Sequence, residues 1–153
     1  MHFQISKTFL KTSLALVFFA SFGWAANRHH ELNGTWTLVP TRSEFGGAPA
    51  LQMGTVTIND REGNITVSRN FTYDGADQTV SYSSSIDGKV NHTIHEGPAF
   101  TAKAKWEGDV LKMTGTQDGI TRVERFRLAN DGSMLLTVER PGHTIETLMF
   151  QRQ

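Results

Sequence analysis

Turn-forming glycines recur along most of this sequence at a nearly constant spacing. Eight of them step by 9 to 13 residues, and seven of the eight directly follow Asp or Glu. Such pairs supply the positive φ angles that tight hairpin turns require, and no segment beyond residue 30 shows the 3.6-residue period of an amphipathic helix. The spacing predicts consecutive antiparallel strands joined by hairpins. The eight positions are Gly63, Gly75, Gly88, Gly97, Gly108, Gly119, Gly132 and Gly142.

The segments between these turns alternate apolar and polar residues, as half-buried strands do. Ile65, Val67 and Phe71 fall on one face of such a segment. Thr66 and Ser68 fall on the other face. The alternation predicts ten strands, at residues 34–39, 53–59, 65–73, 78–86, 90–95, 99–106, 110–116, 120–129, 133–140 and 143–152.

Ten consecutive strands in one open sheet would leave long unpaired edges, and closure into a barrel removes them. A barrel of the bacterial outer membrane would need its apolar face to point outward over ~25 Å of lipid. Here one face of the strands is rich in Thr, Ser, Lys and Asn, and the apolar face can fill an interior. We therefore predict an all-β fold, a soluble up-and-down antiparallel β-barrel of about ten strands.

The N-terminal segment differs in kind from the rest of the chain. Two lysines precede a short apolar run at 14–22, and small residues stand just before Ala26. A basic start, a short apolar run and a small-residue cleavage site describe a secretory signal peptide, and the run is too short for a membrane span, which needs ~20 apolar residues. We predict a signal peptide at 1–25, a barrel domain at 26–153 and export to the periplasm or the extracellular space, with no membrane span after signal removal.

The charge balance argues against a nucleic-acid partner. The chain has 15 Lys+Arg and 15 Asp+Glu, and loss of the two lysines of the predicted signal peptide leaves 13 basic against 15 acidic residues. A near-neutral domain has no overall electrostatic reason to bind nucleic acid or anionic lipid. The chain has no cysteine, which excludes disulfides, thiol nucleophiles and a lipoprotein anchor.

The first predicted strand of the barrel carries the motif Gly34-Thr35-Trp36. A Gly-x-Trp strand ahead of an antiparallel meander resembles the start of lipocalins and their calycin relatives, in which the Trp packs across the closed end of the barrel. The strand, followed by Ser43-Glu44-Phe45, also resembles small exported bacterial proteins of lipocalin-like type. The resemblance implies a barrel that holds a small molecule, and it carries no settled activity.

Two departures from the calycin relatives restrict what this resemblance implies. Intracellular fatty-acid-binding relatives have a helical lid after the first strand, whereas residues 40–51 are too short and too rich in Gly and Pro for two helices. Those relatives also hold a carboxylate with an Arg-x-Tyr pair on the last strand, where this chain has Leu148 and Phe150. The carboxylate clamp therefore cannot be transferred to that strand. The segment 40–51 remains our candidate for a lid over the open end.

Polar residues that share a face with the apolar side of the strands are the candidates for a binding site. Charges on that face must pair or meet a wet cavity, because burial of an unpaired charge is costly. We interpret the set as the polar anchors of an interior ligand pocket, with a structural ion-pair network, or a bulge that reverses the faces, as alternatives. The five candidate ligand-binding residues are Arg69, Tyr82, His92, Arg122 and Glu124.

The predicted function is an exported, monomeric, lipocalin-like protein that binds a small hydrophobic or amphipathic molecule in the barrel. One alternative is an envelope-associated or inhibitor-like interaction module with a filled core, and another is a small secreted enzyme that uses interior Arg, His and Glu. No catalytic motif is present, so we assign no catalytic residues and no cofactor. His92 and His95 fall on opposite faces of one strand, so we assign no metal site.

Overall fold

The computed structural model describes residues 29–153, and the predicted signal peptide lies outside the described residues. The predicted fold class is confirmed: ten antiparallel strands form one sheet. None of the helical segments within this range is long and apolar enough to cross a membrane. The strands are β1 (Gly34–Leu38), β2 (Met53–Arg61), β3 (Asn64–Tyr73), β4 (Ala76–Ser85), β5 (His92–Glu96), β6 (Thr101–Glu107), β7 (Val110–Gln117), β8 (Ile120–Leu128), β9 (Met134–Glu139) and β10 (Glu146–Arg152).

The sheet curls into a nearly closed barrel. Its strand order is β5-β4-β3-β2-β1-β10-β9-β8-β7-β6, so sequence neighbours pair and the first strand also pairs with the last. Trp36 of β1 lies opposite Arg152 of β10. β5 and β6 are the two edges, and a single bridge between Asp87 and Lys105 spans the gap beside them. The gap is therefore narrowest near the β4–β5 turn.

The turns explain why the strands end where they do. Three hairpins turn on a dipeptide in which both residues have positive φ, and the Asp74-Gly75 turn has φ angles of 47° and 78°. This is the pattern of a type I′ turn, whose twist matches that of the flanking strands. The second position needs glycine because side chains disfavour that backbone conformation.

One end of the barrel is filled with large apolar side chains. Trp36 is fully buried there, and its indole N–H donates to the Leu32 carbonyl over 2.9 Å. The guanidinium of Arg152 lies over the same ring, 4.3 Å from its centre. A 3-10 turn at His29–Leu32 closes this end from below. We call this the packed end; its fully buried side chains include Leu32, Trp36, Ile58, Ile65, Leu111, Phe126, Met134 and Phe150.

The connection between β1 and β2 begins with a 3-10 turn at Pro40–Arg42 and then runs beside β10. Glu44 and Thr147 exchange two backbone hydrogen bonds of 2.7 Å. The chain after β1 thus continues alongside β10 rather than folding across the barrel.

Candidate functional site

The opposite half of the barrel, which we call the open end, contains a cavity of about 640 Å³. This volume lies within the roughly 300–1,000 Å³ of small-molecule sites, so the barrel core is not filled. The lining combines aromatic and aliphatic side chains with several charged ones. Its residues are Arg69, Phe71, Tyr73, Gln78, Thr79, Val80, Tyr82, Pro98, Phe100, Met113, Gly115, Thr116, Gln117, Asp118, Ile120, Arg122, Glu124, Leu136, Val138, Arg140, Glu146 and Leu148.

A three-residue ion cluster lies on the cavity wall, where β3 and β8 face each other across the barrel. Glu124 is 3% exposed and accepts a hydrogen bond from the Arg69 guanidinium, which is 9% exposed. Nη2 of Arg122 lies 2.9 Å from the same Glu124 oxygen. The side chain of Arg122 is 40% exposed, so only part of its guanidinium is covered by protein. Two cations therefore share one buried carboxylate.

Burial and the neighbouring charges have opposite effects on the pKa values of Arg69 and Glu124 in this cluster. Burial opposes the charge on Arg69, but the neighbouring carboxylate holds the pKa of the Arg69 guanidinium above its ordinary value. Burial likewise opposes ionisation of Glu124, yet Arg122 and Arg69 together hold the pKa of its carboxyl below its ordinary value. Arg69 and Glu124 are therefore both charged at neutral pH. With the guanidinium of Arg122, the cluster has two formal positive charges against one negative charge.

Aromatic side chains form the wall beside the cluster. Tyr82 packs edge-on against Phe100, with ring centres 4.9 Å apart and ring planes at 89°. Its hydroxyl donates to Sδ of Met113 over 3.4 Å. Burial, and then the nearby Glu124 carboxylate, raises the pKa of the Tyr82 hydroxyl well above its ordinary value. Tyr82 is therefore a neutral hydrogen-bond donor on an otherwise apolar surface.

A second ion pair lies nearer the mouth of the cavity. Arg140 donates to Glu146, which is 8% exposed. Burial, and then the Glu146 carboxylate, raises the pKa of the nearby Tyr73 hydroxyl. This pair is balanced in charge, so among the two groups of ion-paired side chains the excess positive charge lies at the first cluster. Asp118, which also lines the cavity, is an exposed residue of the turn after β7.

Four of the five predicted ligand-binding residues line this one cavity: Arg69, Tyr82, Arg122 and Glu124. His92 is not among the residues that line it. It pairs with Ser84, close to the packed end of β4, and its ring stacks behind Phe100 with the ring centres 6.1 Å apart. Its Nδ1 is buried and has no hydrogen-bond partner within residues 29–153. The alternation of apolar and polar residues along β5 predicts the face on which His92 lies, but it does not give the position of His92 along the barrel axis.

The sequence reasoning missed several lining residues, of which Phe100, Gly115 and Arg140 matter most. Arg140 continues the inward series of β9, and that alternation could have identified it. Gly115 continues the inward series of β7 and lies opposite both Ala102 and Arg122. Ala102 is small as well, but it is 2% exposed and does not line the cavity. The absent side chain at Gly115 leaves room on the cavity wall beside Arg122.

The arrangement leaves the interior carboxylates engaged with arginines. Glu124 is held by two arginines and Glu146 by one, and His92 lies outside the cavity. A paired-carboxylate site or a His–Glu base pair is therefore not assembled by these side chains. No group of three or more His, Asp or Glu within residues 29–153 is placed to hold a metal ion.

The segment 40–51 does not form the expected lid. None of its residues is among those that line the cavity. Glu44 pairs with β10, Arg42 lies 2.8 Å from Asp131, and Leu51 is 3% exposed. These contacts fix the segment to the side of the barrel.

No protein-family model matches the sequence, and no curated protein matches it. Solved structures match over most of the chain. A fatty acid transporter described as REP1-NXSQ shares 17% sequence identity and a TM-score of 0.62, over 80% of this chain and 96% of its own. A fatty acid binding protein of Schistosoma mansoni, in complex with arachidonic acid, gives 14% identity and a TM-score of 0.61, over 82% of this chain and 98% of its own.

A mutant of the fluorescent protein UnaG gives 17% identity and a TM-score of 0.60, over 81% of this chain and 97% of its own. Identities this low establish shape, not activity. The chain therefore has a calycin-like β-barrel fold of the kind found in fatty-acid-binding proteins.

Proposed function

We propose that this chain is an exported, monomeric protein that binds a small amphipathic molecule inside its barrel, with an apolar body and one anionic end. The observation that carries the proposal is the cavity of about 640 Å³, whose wall joins an apolar surface to a cluster with an excess positive charge. The export step rests on the predicted signal peptide at residues 1–25. The protein would meet its ligand in the periplasm or outside the cell.

The apolar part of the ligand would lie against the aromatic and aliphatic wall. Phe71, Phe100 and Leu136 all line the cavity, so an aliphatic or aromatic body would lose water contact on several sides. Burial of apolar surface contributes roughly 25 cal/mol per Å² removed from water. This part of the site explains binding strength but selects only weakly among apolar molecules.

The anionic end would lie at Arg122. Glu124 neutralises one of two guanidinium groups, and Arg69 is too buried to turn toward another partner. Arg122 is the cation of this cluster with exposed surface, and it lies at the wall of the cavity. A carboxylate or sulfonate there would complete the charge balance, and the Tyr82 hydroxyl is a further polar group on the same wall.

Two proteins with this fold are named for fatty acids, one as a transporter and one as a binding protein. Their names support a ligand of fatty-acid type, although the last-strand positions at Leu148 and Phe150 are apolar here. In this chain the anion would instead be held from β8. Native mass spectrometry of protein from its own host would identify a co-purifying ligand directly.

A pair of fluorescent probes tests the proposal. Anilinonaphthalene sulfonate carries an apolar body and an anion, whereas phenylnaphthylamine has the same body without the anion. Arg122→Gln should weaken sulfonate binding about tenfold, since a charge-assisted hydrogen bond contributes about 1.5–3 kcal/mol. The uncharged probe should bind within about twofold of its original affinity. Arg127→Gln, on the outward face of the same strand, is the matched control and should change neither.

A second variant tests whether binding occurs in the cavity at all. Gly115→Val adds side-chain volume beside Phe100, where a Cβ would lie 3.7 Å from the ring and cause no clash. Both probes should lose affinity, whereas the outward Thr137→Val on β9 should bind as the unmodified protein does. Unchanged binding of both probes to Gly115→Val would refute an interior site.

A further inference from the structure

A second, smaller concavity lies on the outer surface of the barrel. It has a volume of about 170 Å³ and is lined by Gly88, Lys103, Lys105, Lys112 and Thr114. It lies on the face of β6 and β7 that points away from the ligand cavity. One wall is formed by Gly88, which has no side chain and faces the stem of Lys105; its φ of +77° is one that other residues rarely adopt.

Strand register places like charges directly opposite one another at this concavity. Lys105 of β6 lies opposite Lys112 of β7, which in turn lies opposite Arg125 of β8. Like charges at directly opposed positions of a sheet destabilise it. Arg125 is paired with Glu139 at 2.5 Å, so the repulsion that opposes folding is between Lys105 and Lys112. This favours a role for these two lysines other than stability.

The counter-charges near the concavity do not balance the lysines. A single Glu107 oxygen lies 2.6 Å from Nζ of Lys105 and 3.4 Å from Nζ of Lys112. The Lys103 side chain has no ion-pair or hydrogen-bond partner within residues 29–153. The Asp87 carboxylate, next to Gly88, accepts hydrogen bonds from Ser85 and from the Lys89 N–H rather than from a lining lysine. The three lining ammonium groups and their one paired carboxylate leave two formal positive charges.

We propose that this concavity is a binding site for a phosphate-bearing group. A phosphomonoester carries about −1.5 to −2 charge near neutral pH and so matches the two unbalanced positive charges. A volume of about 170 Å³ suits a compact tetrahedral oxyanion rather than a large ligand. The lysines and the Thr114 hydroxyl supply donors for those oxygens.

The outward face of β3 and β4 lacks this combination. On β3 and β4 the outward side chains are hydroxyl groups that satisfy one another, with Thr66 2.9 Å from Ser83 and Ser68 2.7 Å from Ser81. The near-neutral total charge of the chain therefore hides a local excess of positive charge. The proposed phosphate site shares no residue with the ligand cavity, so either site can fail without the other.

The test uses the purified protein and inorganic phosphate as the probe. Backbone amide shifts of isotope-labelled protein are followed during titration with phosphate at constant ionic strength, with chloride as the reference anion. We expect saturable shifts centred on Gly88, Lys103 and Thr114. In the double variant Lys103→Gln/Lys112→Gln, phosphate affinity should fall at least tenfold.

The matched control removes the same amount of charge elsewhere. Arg61→Gln/Arg127→Gln lies outside the concavity and should bind phosphate within twofold of the unmodified protein. Equal weakening by both double variants would overturn the proposal, since only diffuse surface charge would then attract the anion. Circular dichroism of each variant checks that the fold is retained.

Vesicles distinguish a free phosphate from a lipid headgroup. The comparison uses phosphatidylcholine vesicles with and without a minor fraction of phosphatidic acid, which ends in a phosphomonoester. Binding that needs phosphatidic acid and the two lysines assigns the site to a lipid headgroup, whether or not free phosphate also binds. Phosphate binding without vesicle binding assigns it to a soluble phosphorylated molecule. Binding of neither would overturn the site.

Discussion

The two halves of the barrel are built from the same ten strands but filled in different ways. At the packed end Trp36, Phe126 and Phe150 belong to the apolar core and are at most 1% exposed. At the open end the inward positions of the same strands carry Gly115, Arg122 and other residues that leave a cavity. One half therefore supplies stability, while the other exposes an amphipathic surface to the cavity.

The difference shows how a small barrel can contain a costly ion cluster. Two arginines and a glutamate in an interior contribute little net stability, because removing them from water offsets their attraction. The packed end provides the apolar burial that tolerates this cost. Substitutions that affect one half should therefore leave measurable properties of the other half intact.

The largest expected effect on the free energy of unfolding is at a matched pair of phenylalanines, one in each half of the barrel. Phe126→Ala opens a void at the packed end, and a buried Phe→Ala change costs about 3–5 kcal/mol. Phe100→Ala widens an existing cavity and should cost about 1 kcal/mol, because the ring is already partly exposed. Urea denaturation gives both free energies of unfolding. Equal costs would contradict the division of the barrel into two halves.

The next largest effect on the free energy of unfolding is expected at the buried carboxylate of Glu124. Glu124→Gln keeps the shape but leaves Arg69 buried without a counter-ion, so we expect a loss of about 3 kcal/mol in the free energy of unfolding. Glu107→Gln, which breaks exposed pairs on the outside of the barrel, should cost less than about 1 kcal/mol. A loss below 1 kcal/mol for Glu124→Gln would mean that water screens the cluster.

The Glu124 carboxylate also makes the stability of the folded protein depend on pH. In the folded protein the pKa of Glu124 is held below its ordinary value of 4.5. At a pH between the folded pKa and 4.5, the unfolded chain therefore binds more protons than the folded chain. Its contribution to stability is complete above pH 4.5 and is lost as the pH falls through the folded pKa. One such group adds at most ~1.4 kcal/mol per pH unit to the slope.

Acid denaturation of the unmodified protein and of Glu124→Gln measures this contribution. The exposed carboxyls titrate in both proteins, so the difference between the two curves isolates Glu124. The curves should converge as the pH falls below 4.5. Parallel curves over that range would show that the carboxyl has the same pKa in the folded and unfolded chain.

The smallest effect is expected at the rim of the open end. Ile120 is 63% exposed although it also borders the cavity, so Ile120→Thr should change the free energy of unfolding by less than about 0.5 kcal/mol. Ile65→Thr at the packed end, where the side chain is fully buried, is the control and should cost several-fold more. Urea denaturation of the two variants measures this ratio.

The strands could be predicted from the sequence because their ends are fixed locally. The strand predicted at 110–116 is observed at Val110–Gln117, and both of its turns are glycine turns with positive φ. The prediction was weaker for 90–95, observed at His92–Glu96, where Val90 is 63% exposed and a bulge shifts the pairing with β4. A bulge depends on the partner strand, so alternation within one strand cannot reveal it.

The site could be predicted only in part. The alternation of apolar and polar residues gives the face of the strand on which a residue lies, but not its position along the barrel axis. Arg69 and Glu124 were both assigned to the interior, but their pairing depends on strands that are 55 residues apart in sequence. His92 has the correct face and lies too near the packed end. Gly115 was missed because a glycine within a strand carries no apolar signal, although its missing side chain leaves room in the cavity.

The pairing of β1 with β10 has a consequence for the order of folding. Contacts across this seam join residues 116 positions apart, such as Gln153 and Thr37. During synthesis β10 is the last strand of the sheet to leave the ribosome, so the nascent chain cannot close its barrel before that strand is available. In the export that we propose, this delay would keep the barrel from closing before transport.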